Sequence, residues 1–210
     1  MGFVPFLETI RRDQGPSMKA YFDWPDVFIR YVQYIAARYG AYDIIFSPIH
    51  LDWIPETYSL SAHEFDAAIE FLFDQYGPLP YGQPVTTLID GSTLKRFGHH
   101  TESPWLSMHS VGNNPCNHGF YPMMEELFRL DPTFPAANLE PYYPGWQHPY
   151  YNLIDGEIPL ANSDLDKYYA RAQMYGSVLS GGLAGHIYGT GAYCGNTTGE
   201  PEEAGARPFI

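Results

Sequence analysis

Two acidic residues follow short apolar runs of the sequence, and each has aromatic residues beside it. The run 134–139 leads to Glu140, which opens an aromatic loop. The run 42–46 leads through a short loop to Asp52, and Trp53 follows. Hydrolysis of a glycosidic bond requires a pair of carboxyl groups, and the apolar face of a sugar stacks on aromatic rings. The pattern therefore indicates chemistry on a carbohydrate.

Further polar and aromatic residues follow the other predicted strands or lie in the loop after Glu140. The candidates for binding a substrate are Trp53, His109, Asn113, Tyr142, Tyr143, Trp146, His186 and Tyr188. For His109 and His186, a hydrogen-bonded packing role is an equal alternative. Glu8 follows the first predicted strand, and a surface ion pair with Arg11 or Arg12 is the favoured interpretation there.

The charge balance excludes several classes of function. The net charge is -13, and the 11 Lys and Arg residues form no basic run. Nucleic-acid binding and anionic membranes both require clustered cations. No apolar stretch reaches the ~18 residues of a transmembrane helix. We therefore expect neither nucleic acid nor a membrane as a partner.

Motifs for metals, nucleotides and serine nucleophiles are absent from the sequence. There is no His-Glu-x-x-His, no Cys-x-x-Cys, no Gly-x-Gly-x-x-Gly and no Gly-x-Ser-x-Gly. We therefore predict no metal and no cofactor, although eight histidines keep a metal-dependent hydrolase or isomerase as a rival hypothesis. Cys116 and Cys194 either form one disulfide or remain free thiols.

Strand and helix patterns alternate along the chain, which predicts an α/β fold with a parallel sheet in one domain, residues 1–210. The predicted strands cover residues 3–7, 44–46, 85–89, 105–108, 134–139 and 184–188. The predicted helices run from Pro25 to Tyr39, from a Ser61–Glu64 capping box to Tyr76, from Pro122 to about residue 130, and from a cap at Asn162 or Ser163 to Leu179. Six such units fit either an open doubly wound sheet or the larger part of an eight-stranded barrel.

Three stretches of the chain resemble the apiosidase-like glycoside hydrolases, a TIM-barrel family from polysaccharide-degrading bacteria. Residues 31–42 resemble the helix and turn before the fourth barrel strand, and residues 138–143 resemble the seventh-strand motif. Arg171 together with residues 175–189 resembles the last helix and the eighth strand. The resemblance implies an incomplete (β/α)8 TIM barrel containing about strands 3 to 8. It also implies a fragment of a longer protein that is secreted or periplasmic.

The resemblance further implies that Asp52 is the acid/base and Glu140 the nucleophile. The residues 46–52 differ here from the Trp and the Gly-Gly-Asp turn that are usual in the family. We expect a glycosidase that cleaves O-glycosidic bonds in a plant or microbial polysaccharide by a two-carboxylate, retaining mechanism. The alternatives are a non-catalytic carbohydrate-binding protein and a truncated, inactive homologue. The sequence does not indicate an oligomeric state.

Overall fold

The computed structural model describes residues 4–11, 19–51, 60–99, 101–112, 120–142, 163–182 and 184–186. The chain divides into two compact units, Met1–Ser110 and Val111–Ile210. Within the described residues, no helix has both the length and the hydropathy needed to cross a bilayer.

Strands and helices alternate through both units, as the sequence predicts. The elements of the first unit are β1 (Phe6–Glu8), α1 (Asp26–Tyr39), β2 (Ile45–Ser47), β3 (His50–Leu51), α2 (Ala62–Tyr76), β4 (Leu88–Ile89), β5 (Gly91–Ser92) and α3 (Thr93–Phe97). Strand β6 (His109–Gly112) contains the boundary between the two units in the sequence. The elements of the second unit are α4 (Phe120–Phe128), β7 (Ala136–Asn138), α5 (Asp164–Leu179) and β8 (Gly185–His186).

The strand pairs β1–β2, β3–β4 and β7–β8 are parallel, which confirms the predicted pairing direction. In the first unit, β1 pairs with β2 and β3 pairs with β4. In the second unit, β7 pairs with β8, and Asn138 is the register partner of His186. Parallel neighbours need a crossover connection, and helices provide it here. The strands are only two to four residues long.

The core of the first unit lies between the β1–β2 pair and helices α1 and α2. Leu7 and Phe46 are register partners, and both pack in this core. Phe28 of α1 and Phe65 of α2 are fully buried there, with ring centroids 5.5 Å apart. Successive side chains of a strand point to opposite faces. The next register pair, Glu8 and Ser47, therefore points away from the helices.

Helix starts agree closely with the sequence. The Ser61 hydroxyl accepts from the Glu64 backbone N–H, and the Glu64 carboxylate accepts from the Ser61 N–H, which is the predicted capping box. Of the two candidate caps for α5, Ser163 is the one used, because its hydroxyl accepts from the Asp166 N–H at 3.1 Å.

The predicted strand at 105–108 is wrong, because residues 104 and 105 form a turn and β6 begins at His109. The Trp105 side chain is buried, and its indole Nε1–H donates to the Asp66 carboxylate at 2.7 Å. The apolar residues 105–108 thus mark a buried loop rather than a strand. Strand β5 follows Asp90, and its last residue, Ser92, caps α3.

Candidate active site

Glu140 directly follows the buried strand β7, as the sequence predicts. The backbone N–H of Leu139 donates to the Val111 carbonyl at 2.8 Å, which continues the strand pairing by one residue. The next N–H, that of Glu140, donates to the Asn138 side-chain oxygen at 3.3 Å. An asparagine that accepts from the N–H two residues ahead forms a local turn. This turn ends β7 and leaves Glu140 partly buried at the carboxyl end of the strand.

Helix α5 holds the chain on both sides of Glu140. Before it, the Asn138 side-chain N–H donates to the Ser177 hydroxyl at 2.9 Å. After it, the Tyr142 backbone N–H donates to Gln173 Oε1 at 2.5 Å. The Tyr142 hydroxyl also donates to an Asp166 carboxylate oxygen at 2.5 Å. Glu140 therefore lies between two residues that are each tied to the same helix.

The face of α5 that makes these contacts is buried and polar. Asp166, Gln173 and Ser177 recur at spacings of seven and four residues, which places them along one helix face, and each is at most 2% exposed. Tyr169 lies on the same face, with its ring centroid 5.5 Å from that of Tyr142. Buried polar groups destabilise a fold unless they are hydrogen-bonded. Each of the three polar side chains makes a hydrogen bond to residue 138 or 142.

A glycine fixes how closely α4 approaches α5. A Cβ placed on Gly176 would lie 1.9 Å from the Tyr121 ring of α4. The Tyr121 hydroxyl donates to the Ala172 carbonyl of α5 at 2.8 Å. Only a residue without a side chain leaves room for this ring. The position of α5, and hence of its polar face, depends on this contact.

Tyr142 is predicted from sequence to be a wall of a sugar subsite, and the structure gives it a different role. Its side chain is 2% exposed, and its hydroxyl and backbone N–H both bind α5. A ring covered in this way has no open face on which a sugar can stack. The sequence pattern could not show this, because the partners of Tyr142 lie 24 and 31 residues further along the chain.

His109 is fully buried in the first unit, where its Nδ1 lies 2.9 Å from the Thr93 hydroxyl. The Ser110 backbone N–H donates to the same hydroxyl at 2.9 Å. These contacts favour the packing interpretation of His109.

His186 is the register partner of Asn138, so both side chains lie on the face of the sheet where Asn138 binds α5. Within the described part of the chain, its Nδ1 is buried and has no hydrogen-bond partner. Burial lowers the pKa of His186 to about 4, because desolvation disfavours the imidazolium. The ring is therefore neutral at pH 7.

The sequence analysis missed a contact between two strands of the first unit. Glu8 Oε2 accepts from His50 Nδ1 at 3.0 Å. The predicted ion pair of Glu8 with Arg11 or Arg12 stays a prediction, because Arg12 lies outside the described residues. Glu8 and His50 each follow a predicted strand, and the two predicted strands are consecutive in the sequence. That shared position is the signal that could have linked them.

Several of the predicted site residues lie outside the described part of the chain, and their roles stay predictions: Asp52, Trp53, Asn113, Tyr143, Trp146 and Tyr188, and with them Cys116 and Cys194. Among the described residues, no group of three or more His, Cys, Asp or Glu side chains is placed to hold a metal ion.

Two solved structures are similar to this chain. A glycoside hydrolase family 5 protein from Bacteroides vulgatus ATCC 8482 superposes with a TM-score of 0.63 and 16% identity, over 90% of this chain and 40% of its own. A second protein, described as a glycoside hydrolase, gives a TM-score of 0.58 and 19% identity, over 87% of this chain and 41% of its own. This chain thus spans about two fifths of their lengths. At these identities the likeness shows the fold, which is of the TIM-barrel type, although the strand pairs described here do not close a barrel.

The remaining comparisons concern sequence. No curated protein matches the chain. The sequence model of the apiosidase-like catalytic domain matches residues 13–202. This match extends through both units and includes β7, Glu140 and helix α5. The chain therefore belongs to the apiosidase-like family of catalytic domains.

Proposed function

We propose that this protein is a glycoside hydrolase that cleaves O-glycosidic bonds in a plant or microbial polysaccharide with retention of configuration. Glu140 is the nucleophile and Asp52 is the acid/base. The observation that carries the proposal is the anchoring of Glu140. Its two flanking residues, Asn138 and Tyr142, are hydrogen-bonded to one buried face of α5. The family match supports the same class of reaction.

The anchoring matters because nucleophilic attack depends on position. An attacking atom must lie about 3–3.5 Å from the reacting carbon with its orbital aligned. A carboxylate on a loose loop would lose conformational entropy each time it reached that position. Here the backbone on either side of Glu140 is already ordered by buried hydrogen bonds. This ordering of the flanking residues supports a nucleophile at the carboxyl end of a parallel strand, where TIM barrels bind their substrates.

In the first chemical step, Glu140 attacks the anomeric carbon and forms a glycosyl ester, while the bond to the leaving oxygen breaks. The Asp52 carboxylic acid gives its proton to that oxygen. In the second step, the Asp52 carboxylate takes a proton from water, and the hydroxide oxygen displaces Glu140 from the sugar. Retention requires the two carboxyl groups to lie ~5–5.5 Å apart. Asp52 must hold a proton near neutral pH, which requires an apolar site or a neighbouring carboxylate.

The remaining predicted residues bind the sugar. Trp53, Tyr143 and Trp146 provide aromatic faces for stacking. Asn113, Tyr188 and His186 provide hydrogen bonds to hydroxyl groups, whereas the buried His109 packs against Thr93. Tyr142 holds the loop to α5.

The proposal is tested by the variant Glu140→Gln, which keeps the side-chain shape and removes the nucleophile. Purified wild-type and variant chains are incubated with xylan, arabinan, galactan and β-glucan, and released reducing sugar is measured. We expect the turnover of the variant to fall by at least about 10³-fold, because loss of a catalytic group that acts with others removes most of the rate enhancement. Glu125→Gln is the matched control, since Glu125 is an exposed partner of Arg129.

Two outcomes contradict the proposal. Turnover by Glu140→Gln within twofold of the wild type would show that Glu140 is not the nucleophile. A wild-type chain that binds these polysaccharides and releases no sugar from them would be a carbohydrate-binding protein instead.

A further inference from the structure

The last register pair of β1 and β2, Glu8 and Ser47, is polar and points to the side away from the helices. Leu7 and Phe46 occupy the helix-facing core, so their neighbours Glu8 and Ser47 point to the other side. In a TIM barrel, the face away from the helices is the barrel interior, and substrates bind at the carboxyl ends of its strands. Glu8, the last residue of β1, therefore lies on the face and near the end at which a ligand is expected.

His50 is held beside Glu8 by the backbone. The His50 N–H donates to the Ile10 carbonyl at 2.8 Å, and His50 forms a parallel bridge with Arg11. The chain after β1 thus continues to pair with the chain that leads through β3 towards Asp52. In this position, the imidazole Nδ1–H donates to Glu8 Oε2 at 3.0 Å. A carboxylate can only accept, so this contact places the imidazole proton on Nδ1.

The second oxygen of Glu8 is buried and, among the described residues, has no hydrogen-bond partner. A carboxylate oxygen removed from water without a donor destabilises the fold. The Glu8 side chain as a whole remains 28% exposed, whereas His50 is 10% exposed. The terminal torsion of a glutamate is broad and two-fold. Either oxygen can therefore turn towards a group that enters from solvent.

We propose that Glu8 and His50 form a subsite that accepts a hydrogen bond from a hydroxyl group of the sugar substrate. The inference rests on the proposed function and names a binding contact for it. The ligand group is a hydrogen-bond donor, because an ionised carboxylate can only accept. It is a neutral sugar hydroxyl, because the chain belongs to a family of glycoside-cleaving catalytic domains. The Glu8 oxygen that has no donor among the described residues gains one when the sugar binds.

The test measures affinity and stability in parallel. Binding of soluble oligosaccharides from xylan, arabinan, galactan and β-glucan is measured by calorimetry in the Glu140→Gln protein, with and without Glu8→Gln. We expect Glu8→Gln to weaken binding of the preferred oligosaccharide by about tenfold or more, since hydrogen bonds to charged groups are the stronger ones. Glutamine keeps the shape of the side chain and an oxygen that can accept from His50 Nδ1–H, so the melting temperature of the sugar-free protein should change little. Glu125→Gln serves as the control for the loss of one exposed carboxylate.

A second comparison identifies the hydroxyl as the ligand group. The O-methylated form of the preferred oligosaccharide lacks hydroxyl donors, so it should bind less tightly than the parent to protein containing Glu8. The difference in affinity between the parent and the O-methylated sugar should be smaller in the Glu8→Gln protein. An unchanged difference would overturn the proposal.

The failures of the two proposals are distinguishable. If the Glu140→Gln protein binds none of the four oligosaccharides, the proposed function fails and the subsite fails with it. If that protein binds a sugar and Glu8→Gln changes its affinity by less than twofold, the subsite alone fails.

Discussion

Gln173→Leu is the perturbation that separates the anchoring of Glu140 from its chemistry. Gln173 is 1% exposed and accepts the Tyr142 backbone N–H at 2.5 Å. Leucine has a similar volume and no acceptor, so the core stays filled while this hydrogen bond is lost. A buried donor deprived of its acceptor costs about 1–3 kcal/mol. That is a fraction of the about 5–15 kcal/mol by which proteins are stable, so the variant should fold.

The expected consequence is local. The loop after β7 should open more often. Amide exchange in a peptide covering residues 136–142 should therefore accelerate by about 5- to 150-fold, which is the cost of about 1–3 kcal/mol expressed as a change in the opening equilibrium. Exchange within α2, which belongs to the other unit, should stay unchanged. Turnover should fall by up to about 10²-fold, the effect of a displacement of about 1 Å at a reacting group. The loss should appear mainly in kcat, because a misplaced nucleophile affects the transition state more than sugar binding.

Two further variants control this experiment. Tyr142→Phe removes the hydroxyl that donates to Asp166 and keeps the ring, so it should act in the same direction. Tyr175→Leu changes an exposed residue of the same helix and should leave exchange and turnover as they are. If Gln173→Leu leaves the exchange of residues 136–142 unchanged, the helix does not anchor the loop and the reasoning is refuted. This result would stand even if the protein proved not to be a hydrolase.

Two other predictions concern helix packing and pH. Gly176→Ala should destabilise the protein by about 1–3 kcal/mol, because the new Cβ overlaps the Tyr121 ring. Thermal melts should show a lower melting temperature. A variant as stable as the wild type would contradict the packing of α4 on α5. Burial lowers the pKa of His186 from 6.5 to about 4, so the unfolded chain binds a proton at a higher pH than the folded one. The stability contributed by the neutral ring is therefore present above about pH 6.5 and lost as the pH falls towards 4. The free energy of unfolding, measured by denaturant titration at each pH, should fall less steeply for His186→Leu than for the wild type as the pH decreases across this window. Parallel curves of free energy against pH would contradict the pKa shift.

The parts of the fold that depend on local signals could be predicted from the sequence. Ser61 and Glu64 are three residues apart, and their reciprocal hydrogen bonds involve only the first turn of α2. The start of α5 at Ser163 also depends on a hydrogen bond within the first turn, from the Asp166 N–H to the Ser163 hydroxyl. The alternation of strands and helices predicts parallel pairing, because a parallel neighbour can be reached only by a crossover. Glu140 could be placed after β7 because an apolar run ends there.

The remaining features depend on partners that are distant in the sequence. Trp105 lies in an apolar stretch that is typical of a strand, but Asp66, 39 residues away, fixes its indole in a loop. Tyr142 looks like an open aromatic residue until α5 covers it. The hydrogen bond between Glu8 and His50 joins two strands whose residues are 42 positions apart in the sequence. In each case tertiary packing decides the environment of a polar or aromatic side chain, and periodicity carries no information about it.

The assignment of Glu140 as the nucleophile is tested most directly by the variant Glu140→Gly with added azide. Removing the carboxylate leaves space for a small anion on the face of the sugar from which Glu140 attacks. With an activated aryl glycoside that the wild type cleaves, azide should restore turnover and give a glycosyl azide of inverted anomeric configuration, as read by NMR. A glycosyl azide of retained configuration, or turnover that azide does not restore, would contradict the role assigned to Glu140.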